Sequence, residues 1–147
     1  MGGENYVDED VVRELSEEEC WGMLDRQEFG RLAFHLRDEV HLVPINYAVD
    51  HGTLLFRTAE GEKLLGVVMH HDVVFEVDEY DEHQAASVIV RGNARRLEED
   101  EAHRAENVPL RPWVSTPKYD VVEITPTLIT GRSFRLDRPW LHLRPEE

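Results

Sequence analysis

Three side chains at a short spacing could together hold a phosphate. Arg57 and Thr58 stand side by side, with Lys63 a few residues on. Arginine grips a phosphate through a fork of N–H donors, lysine adds a point charge, and a threonine hydroxyl can donate. The residues between, Ala59-Glu60-Gly61-Glu62, read as a strand end running into a helix, whose unpaired N-terminal amides also suit an anion. A second group lies upstream. Val43-Pro44-Ile45-Asn46-Tyr47 carries a proline and an asparagine among apolar residues, a pattern that fits a strand edge. The backbone of Ile45, Asn46 and Tyr47 at such an edge could bind a flat polar ring. Plainer readings compete: a surface arginine and a solvated lysine, an asparagine that satisfies a turn, a tyrosine packed in the core.

The elements that must position these residues follow from periodicity. Ser16 with Glu19 three residues on forms a capping box, Leu15 and Cys20 stand where a hydrophobic staple would form, and a helix to about Gln27 is predicted. Residues 29–36 alternate, with Leu32, Phe34 and Leu36 on one face, which predicts a strand with one solvated face. Arg37-Asp38-Glu39 is its turn, residues 40–49 the next strand, Asp50-His51-Gly52 a hairpin turn and residues 53–58 the returning strand. A short helix is predicted over residues 60–69. Strands are expected over 73–77 and 86–97, with an acidic loop over 78–84 between them. Gly92 reads as a bulge or a point of close approach. A short acidic helix over 98–105 and an irregular, proline-rich stretch over 108–117 follow. Two last strands, 120–124 and 128–134, are separated by Thr125-Pro126. About seven strands with hairpin links and few helices predict a mainly β, antiparallel barrel. The domain spans residues 15–136, between a loose N-terminal tail over 1–14 and a C-terminal tail over 137–147.

A chain of 147 residues with 41% hydrophobic content can build one domain with a real core. Against 16 basic residues stand 31 acidic ones, a net charge of −15. That balance opposes nucleic acids and anionic membranes as partners. No apolar run approaches the ~20 residues of a membrane helix, and residues 1–10 do not read as a signal peptide, so a cytoplasmic protein is expected. The single cysteine, Cys20, leaves no internal disulfide and no multi-cysteine zinc site. No metal site is expected from the scattered histidines. His41 is the exception to watch, because it precedes the 43–47 segment and could face a substrate. Trp113, in Leu110-Arg111-Pro112-Trp113, reads either as a core or interface tryptophan or as the wall of a pocket. No catalytic constellation stands out.

The run 43–47, the Asp50-His51-Gly52 turn, Phe56-Arg57-Thr58-Ala59 and Gly61-Glu62-Lys63-Leu64 resemble the pyridoxamine 5'-phosphate oxidase-like family of flavin-binding split barrels, in its short bacterial branch. The likeness continues through Val74-Phe75-Glu76-Val77-Asp78, Ser87-Val88-Ile89-Val90-Arg91-Gly92, Leu110-Arg111-Pro112-Trp113 and Thr130-Gly131-Arg132, from about Leu15 to Arg132. The resemblance implies a split β-barrel that binds FMN and performs a two-electron redox step on a small molecule. It implies cofactor-binding roles for Val43, Pro44, Ile45, Asn46, Tyr47, Arg57, Thr58, Lys63 and Leu64. It also implies a homodimer with the flavin at the interface and Trp113 contributed across it. Within the same fold a deazaflavin in place of FMN, or a flavin carrier without turnover, are the alternatives. A nitroimidazole-reducing or haem-handling relative is a third.

Overall fold

The computed structural model describes residues 11–59, 64, 66, 72–110 and 119–137. Strand β1 (Val12–Glu14) leads into helix α1 (Glu17–Arg26), and then β2 (Phe29–Leu36), β3 (Glu39–Asn46), β4 (Ala48–Asp50) and β5 (Thr53–Ala59) follow. After them come β6 (Asp72–Tyr80), β7 (Gln84–Arg96), the single helical turn α2 (Glu99–Ala102), a 3₁₀ helix (His103–Asn107) and β8 (Tyr119–Arg135). All strand pairs are antiparallel, in the order β3-β2-β6-β7-β8-β5-β4, with β1 added on β8. Leu64 and Gly66 are helical, in keeping with the helix expected there.

The sheet closes on itself through its own chain. β3 and β4 are successive parts of one extended stretch, separated only by Tyr47. The first part pairs with β2 and the second with β5, so the two ends of the strand order are covalently joined. The expected single strand over 40–49 is therefore two strands that change partners at Tyr47. That residue is pinned from every side. Its ring is buried and meets Phe75 edge-on at 4.7 Å, its hydroxyl donates to the Leu24 carbonyl at 2.6 Å, and its N–H donates to the Glu28 carbonyl at 3.0 Å. Burial, with the charge of Asp25 adding to it, pushes the phenol's pKa upward.

Two apolar clusters hold this frame. The barrel interior packs Met23, Leu24, Leu32, Phe56, Phe75, Val77, Val88, Val90, Val122 and Ile124 around Tyr47. A smaller cluster on the outside joins Ala48, Leu55 and Val121 to Leu97, Ala105 and Leu110. β5 serves both, Leu54 and Phe56 facing in and Leu55 facing out. That double duty explains its unbroken apolar run.

Local signals predicted several features that the structure contains. Ser16 caps α1 with the full capping box, the Glu19 N–H donating to Ser16 Oγ and the Ser16 N–H to Glu19 Oε1, both at 3.1 Å. Leu15 and Cys20 both close over Gly131, where a Cβ would stand 2.7 Å from Cys20 Sγ. His51 (φ 46°) and Gly52 (φ 79°) form the two-residue β4–β5 turn, positive at both central positions as a type I′ turn requires. Gly92 lies at a register shift between β7 and β8, and a Cβ there would collide with the Thr125 carbonyl oxygen.

Other expectations need correction. Val12–Glu14, assigned to the loose tail, pairs with β8. The acidic loop over 78–84 is shorter, because β6 runs to Tyr80 and Asp81 Oδ1 accepts the N–H groups of His83 and Gln84 to make the turn. The two last strands are one, since β8 passes Thr125-Pro126 as a bulge opposite Gly92. The acidic helix ends at Ala102 and continues as 3₁₀ to Asn107. Residues 1–10, 60–63, 65, 67–71, 111–118 and 138–147, with the expectations that fall on them, most of the 60–69 helix included, lie outside the described residues.

Candidate functional site

The partner change at Tyr47 makes a fork. β4 pairs with β5 only as far as Ala48 opposite Leu55. Beyond that point β3 pairs on one side with β2, and residues 56–59 of β5 pair on one side with β8. Two strand edges therefore diverge from Tyr47, and the residues singled out from the sequence stand along them.

Ladder parity tells which backbone groups face the fork. Hydrogen-bonded positions of an antiparallel pair recur every second residue. The Tyr47 N–H bonds to Glu28, so Ile45 (opposite Gly30) and Val43 (opposite Leu32) also point their N–H groups at β2. Leu42, Pro44 and Asn46 point theirs away from β2, into the fork. Pro44 has no N–H, so the ladder loses nothing there. The side chains of Val43 and Ile45 pack against the interior cluster. On β5 the two-residue turn closes with Asp50 opposite Thr53, so Arg57 and Ala59 point their backbone groups away from β8.

These positions refine the sequence reading residue by residue. Tyr47 is a core anchor whose side chain and N–H are both committed to the frame. Ile45 and Val43 support the edge from within, and the amides that reach the fork belong to Leu42 and Asn46. Leu42 was not singled out from the sequence, because parity depends on a pairing partner that the sequence does not show. Arg57 and Thr58 lie on opposite faces of β5, with Thr58 buried on the inner face and Arg57 half-buried on the outer. An anion touched by both must straddle the strand edge. Leu64 is half-buried against the interior cluster. Lys63 and Trp113 lie outside the described residues.

The electrostatics single out Arg57. Its guanidinium carbon lies 5.6 Å from the centroid of the Tyr119 ring, and among the described residues it makes no ion pair. The other half-buried arginines there are both paired, Arg31 with Glu76 and Asp78, Arg104 with Asp50 and Glu123. In a chain of net charge −15 a half-buried arginine with no carboxylate is conspicuous. A flavin fits this fork on three counts: two edges with inward-pointing backbone groups, the Arg57 cation, and the Thr58 hydroxyl on the inner face of the same strand.

Nearby, Arg104 joins Asp50 (2.7 Å) and Glu123 (2.6 Å), and Arg95 joins Glu123 and Glu101 (both 2.9 Å). Burial acts to raise the Asp50 pKa, but hydrogen bonds from Arg104 and His51 outweigh it and hold the carboxyl below the usual range. This network ties the 3₁₀ helix to the β4–β5 hairpin. His41 points inward and its ring stacks on Phe34 at 5.5 Å. Its enclosed Nε2 has no hydrogen-bond partner, although Glu39 Oε2 lies 3.3 Å away off the bonding direction. Two roomier grooves, about 470 and about 620 Å³, lie beside β1 and the ends of β7 and β8. The first is flanked by the Arg13–Glu19 and Arg26–Glu79 pairs. The fork, with a half-buried arginine that makes no ion pair among the described residues, is the better ligand site. Among the described residues no cluster of His, Cys, Asp and Glu could hold a metal ion, and no helix is long and apolar enough to cross a membrane.

Comparison with known proteins agrees with this geometry. Residues 16–133 match the family described as Pyridoxamine 5'-phosphate oxidase. An uncharacterized protein of Mycobacterium tuberculosis is 45% identical over 84 residues, 56% of this chain and 76% of that protein. The solved structure of an FAD binding protein from Mycobacterium smegmatis superposes with a TM-score of 0.77 at 42% identity, covering 85% of this chain and 100% of that one. A conserved Corynebacterium diphtheriae protein of unknown function superposes with a TM-score of 0.73 at 32% identity, covering 85% and 99%.

Proposed function

Because the chain belongs to the pyridoxamine 5'-phosphate oxidase family, whose antiparallel split barrel it shares, we propose that it is a flavin-dependent oxidoreductase acting on a small molecule in the cytoplasm. The observation that carries this reading is Arg57 at the mouth of the fork, half-buried and without an ion pair among the described residues. When bound, the flavin supplies two-electron transfer. The protein binds and orients it. Arg57, Thr58 and Lys63 hold the phosphate at the open end of β5. The Leu42 and Asn46 amides, with the Pro44 carbonyl between them, line the ring edge and bias its electronics. Tyr47, Val43, Ile45 and Leu64 hold that edge from the core side.

The cofactor read from the sequence is FMN. The Mycobacterium smegmatis relative described as FAD binding supports a dinucleotide as the second reading. We also propose a homodimer with the flavin at its interface. Val40 and Leu42 on the outer face of β3 are 69% and 66% exposed, and Phe29, Ile89 and Leu128 add apolar surface on the strands of the same sheet. The partner subunit's Trp113 closes the pocket.

An absorption spectrum of the purified protein, followed by titration with FMN, FAD and a deazaflavin, tests the reading. Bound flavin, with affinity lowered in Arg57→Ala by about 1.5–3 kcal/mol or roughly 10- to 150-fold, is the expected result. Binding of none of the three would overturn it.

A further inference from the structure

The inner face of the barrel carries charge at the open end of the fork, where its pattern leads one to expect apolar residues. Along β8, Ile124 and Val122 fill the interior, and Asp120 is next on that face, only 8% exposed. Thr58 stands directly opposite it on β5. On β7, Ala94 faces the interior and Arg96 continues the same face. Arg96 Nε lies 3.0 Å from Asp120 Oδ1. Thr58 and Asp120 are thus cross-strand neighbours, and Arg96, which stands opposite Val122, reaches Asp120 diagonally from the third strand. Directly opposite same-face neighbours are about 5 Å apart and diagonal ones about 7–8 Å, so Asp120 holds the Arg96 guanidinium on the face and at the end of the sheet that Thr58 occupies.

A carboxylate beside Thr58 has the wrong sign for a phosphate site. Arg96 resolves that conflict. It neutralises Asp120 and brings its own positive charge toward Thr58, on the face opposite Arg57. Among the described residues its ion pair engages Nε, and a guanidinium carries further N–H donors on its terminal nitrogens that can serve a second anion. Nearly half of the side chain is exposed, so a ligand can reach it.

We propose that Arg96 is a further phosphate-binding residue of the fork and that Asp120 is the residue that positions it. The inference rests on the flavin reading above. The ligand chemistry is the flavin phosphate, whether the monophosphate of FMN or the pyrophosphate of FAD.

The test is titration of the full chain, freed of bound flavin, with riboflavin, FMN and FAD, comparing wild type, Arg96→Ala and Arg96→Lys. Arg96→Ala is expected to weaken FMN or FAD about 10- to 150-fold while leaving riboflavin, which has no phosphate, within about twofold. Arg96→Lys should recover part of the loss. A larger loss for FAD than for FMN places Arg96 on the second phosphate, and an equal loss places it on the phosphate the two share. Equal weakening of riboflavin and FMN, or no weakening of either, overturns the proposal and leaves a structural ion pair. If Arg96→Ala does not fold, Arg96→Gln, which keeps a donor toward Asp120 but no charge, decides the same question. Failure of the underlying reading looks different: the wild type then binds none of the three flavins, or Arg57→Ala leaves its preference for FMN over riboflavin intact.

Discussion

The two ends of the stretch from Glu39 to Asp50 are built from similar residues to opposite purposes. At the closed end, Tyr47 and Ala48 are buried and both hydrogen-bond donors of Tyr47 are matched: hydroxyl to Leu24, N–H to Glu28. At the open end, Leu42 and Pro44 are exposed, and their outward backbone groups face no neighbouring strand among the described residues. The closed end is where stability resides, and the open end is where a ligand can be bound. The difference teaches that this fold separates the two tasks along a single strand. A rigid anchor fixes the angle of the fork, so that ordering the binding edges costs little when a ligand arrives.

The largest expected effect breaks the closed end. Tyr47→Ala removes a buried aromatic and its hydrogen bond, and should lower the unfolding free energy by about 3–5 kcal/mol in chemical denaturation. Arg57→Ala sharpens the contrast from the other side. It should leave the unfolding free energy of the flavin-free protein within about 0.5 kcal/mol of wild type, although it weakens flavin binding as stated above. A loss of stability comparable to that of Tyr47→Ala would show that the open end is also scaffold.

The charge network beside the hairpin gives a pH signature. Asp50, Glu79 and Glu101 are all held below the ordinary carboxylate range: in Asp50 hydrogen bonds from Arg104 and His51 overcome burial, and in the others Arg26 and Arg95 are the main causes. A lowered carboxylate favours the folded state when ionised. Its contribution is present above the ordinary value of about 4 and is lost as pH falls through the folded value. Glu76, raised by burial and then by Asp78, works in the opposite sense. With Glu19, lowered to about 2 chiefly by its hydrogen bond from Arg13, the lowered groups outnumber the raised one four to one, so the Tm should fall as pH drops below about 4, and Asp50→Asn should flatten that fall while costing about 1.5–3 kcal/mol at neutral pH. The smallest effect is at the β2–β3 turn. Arg37 sits at φ 59°, a conformation glycine adopts without strain. Arg37→Gly should be neutral or stabilising, by up to about 1 kcal/mol, in a thermal melt.

The parts of this fold that sequence reveals are the local ones. The capping box of Ser16 and Glu19 and the turn at His51-Gly52 need only neighbouring residues, and both were legible. The path of β8 was not, because Thr125-Pro126 looks like a break until Gly92 on β7 absorbs it. Arg57 and Thr58 were legible as a pair for one phosphate, but their placement on opposite faces of β5 emerged only from the strand pairing. The ion pair of Arg96 with Asp120 was hidden, since it depends on strands β7 and β8 being in register. Asp120 and Glu123 did leave a trace, as charges inside the otherwise apolar run Val121-Val122-Ile124.

Pro44 has a bearing on how this chain survives before any ligand reaches it. An exposed strand edge with apolar neighbours is a template on which another chain can grow. The missing N–H of Pro44 falls among the outward positions of β3, between Leu42 and Asn46. An incoming strand would have to leave a carbonyl unanswered there. The same ring that leaves the edge open to a small, flat molecule therefore denies it to a polypeptide, and the newly made protein can wait for its cofactor without seeding aggregates.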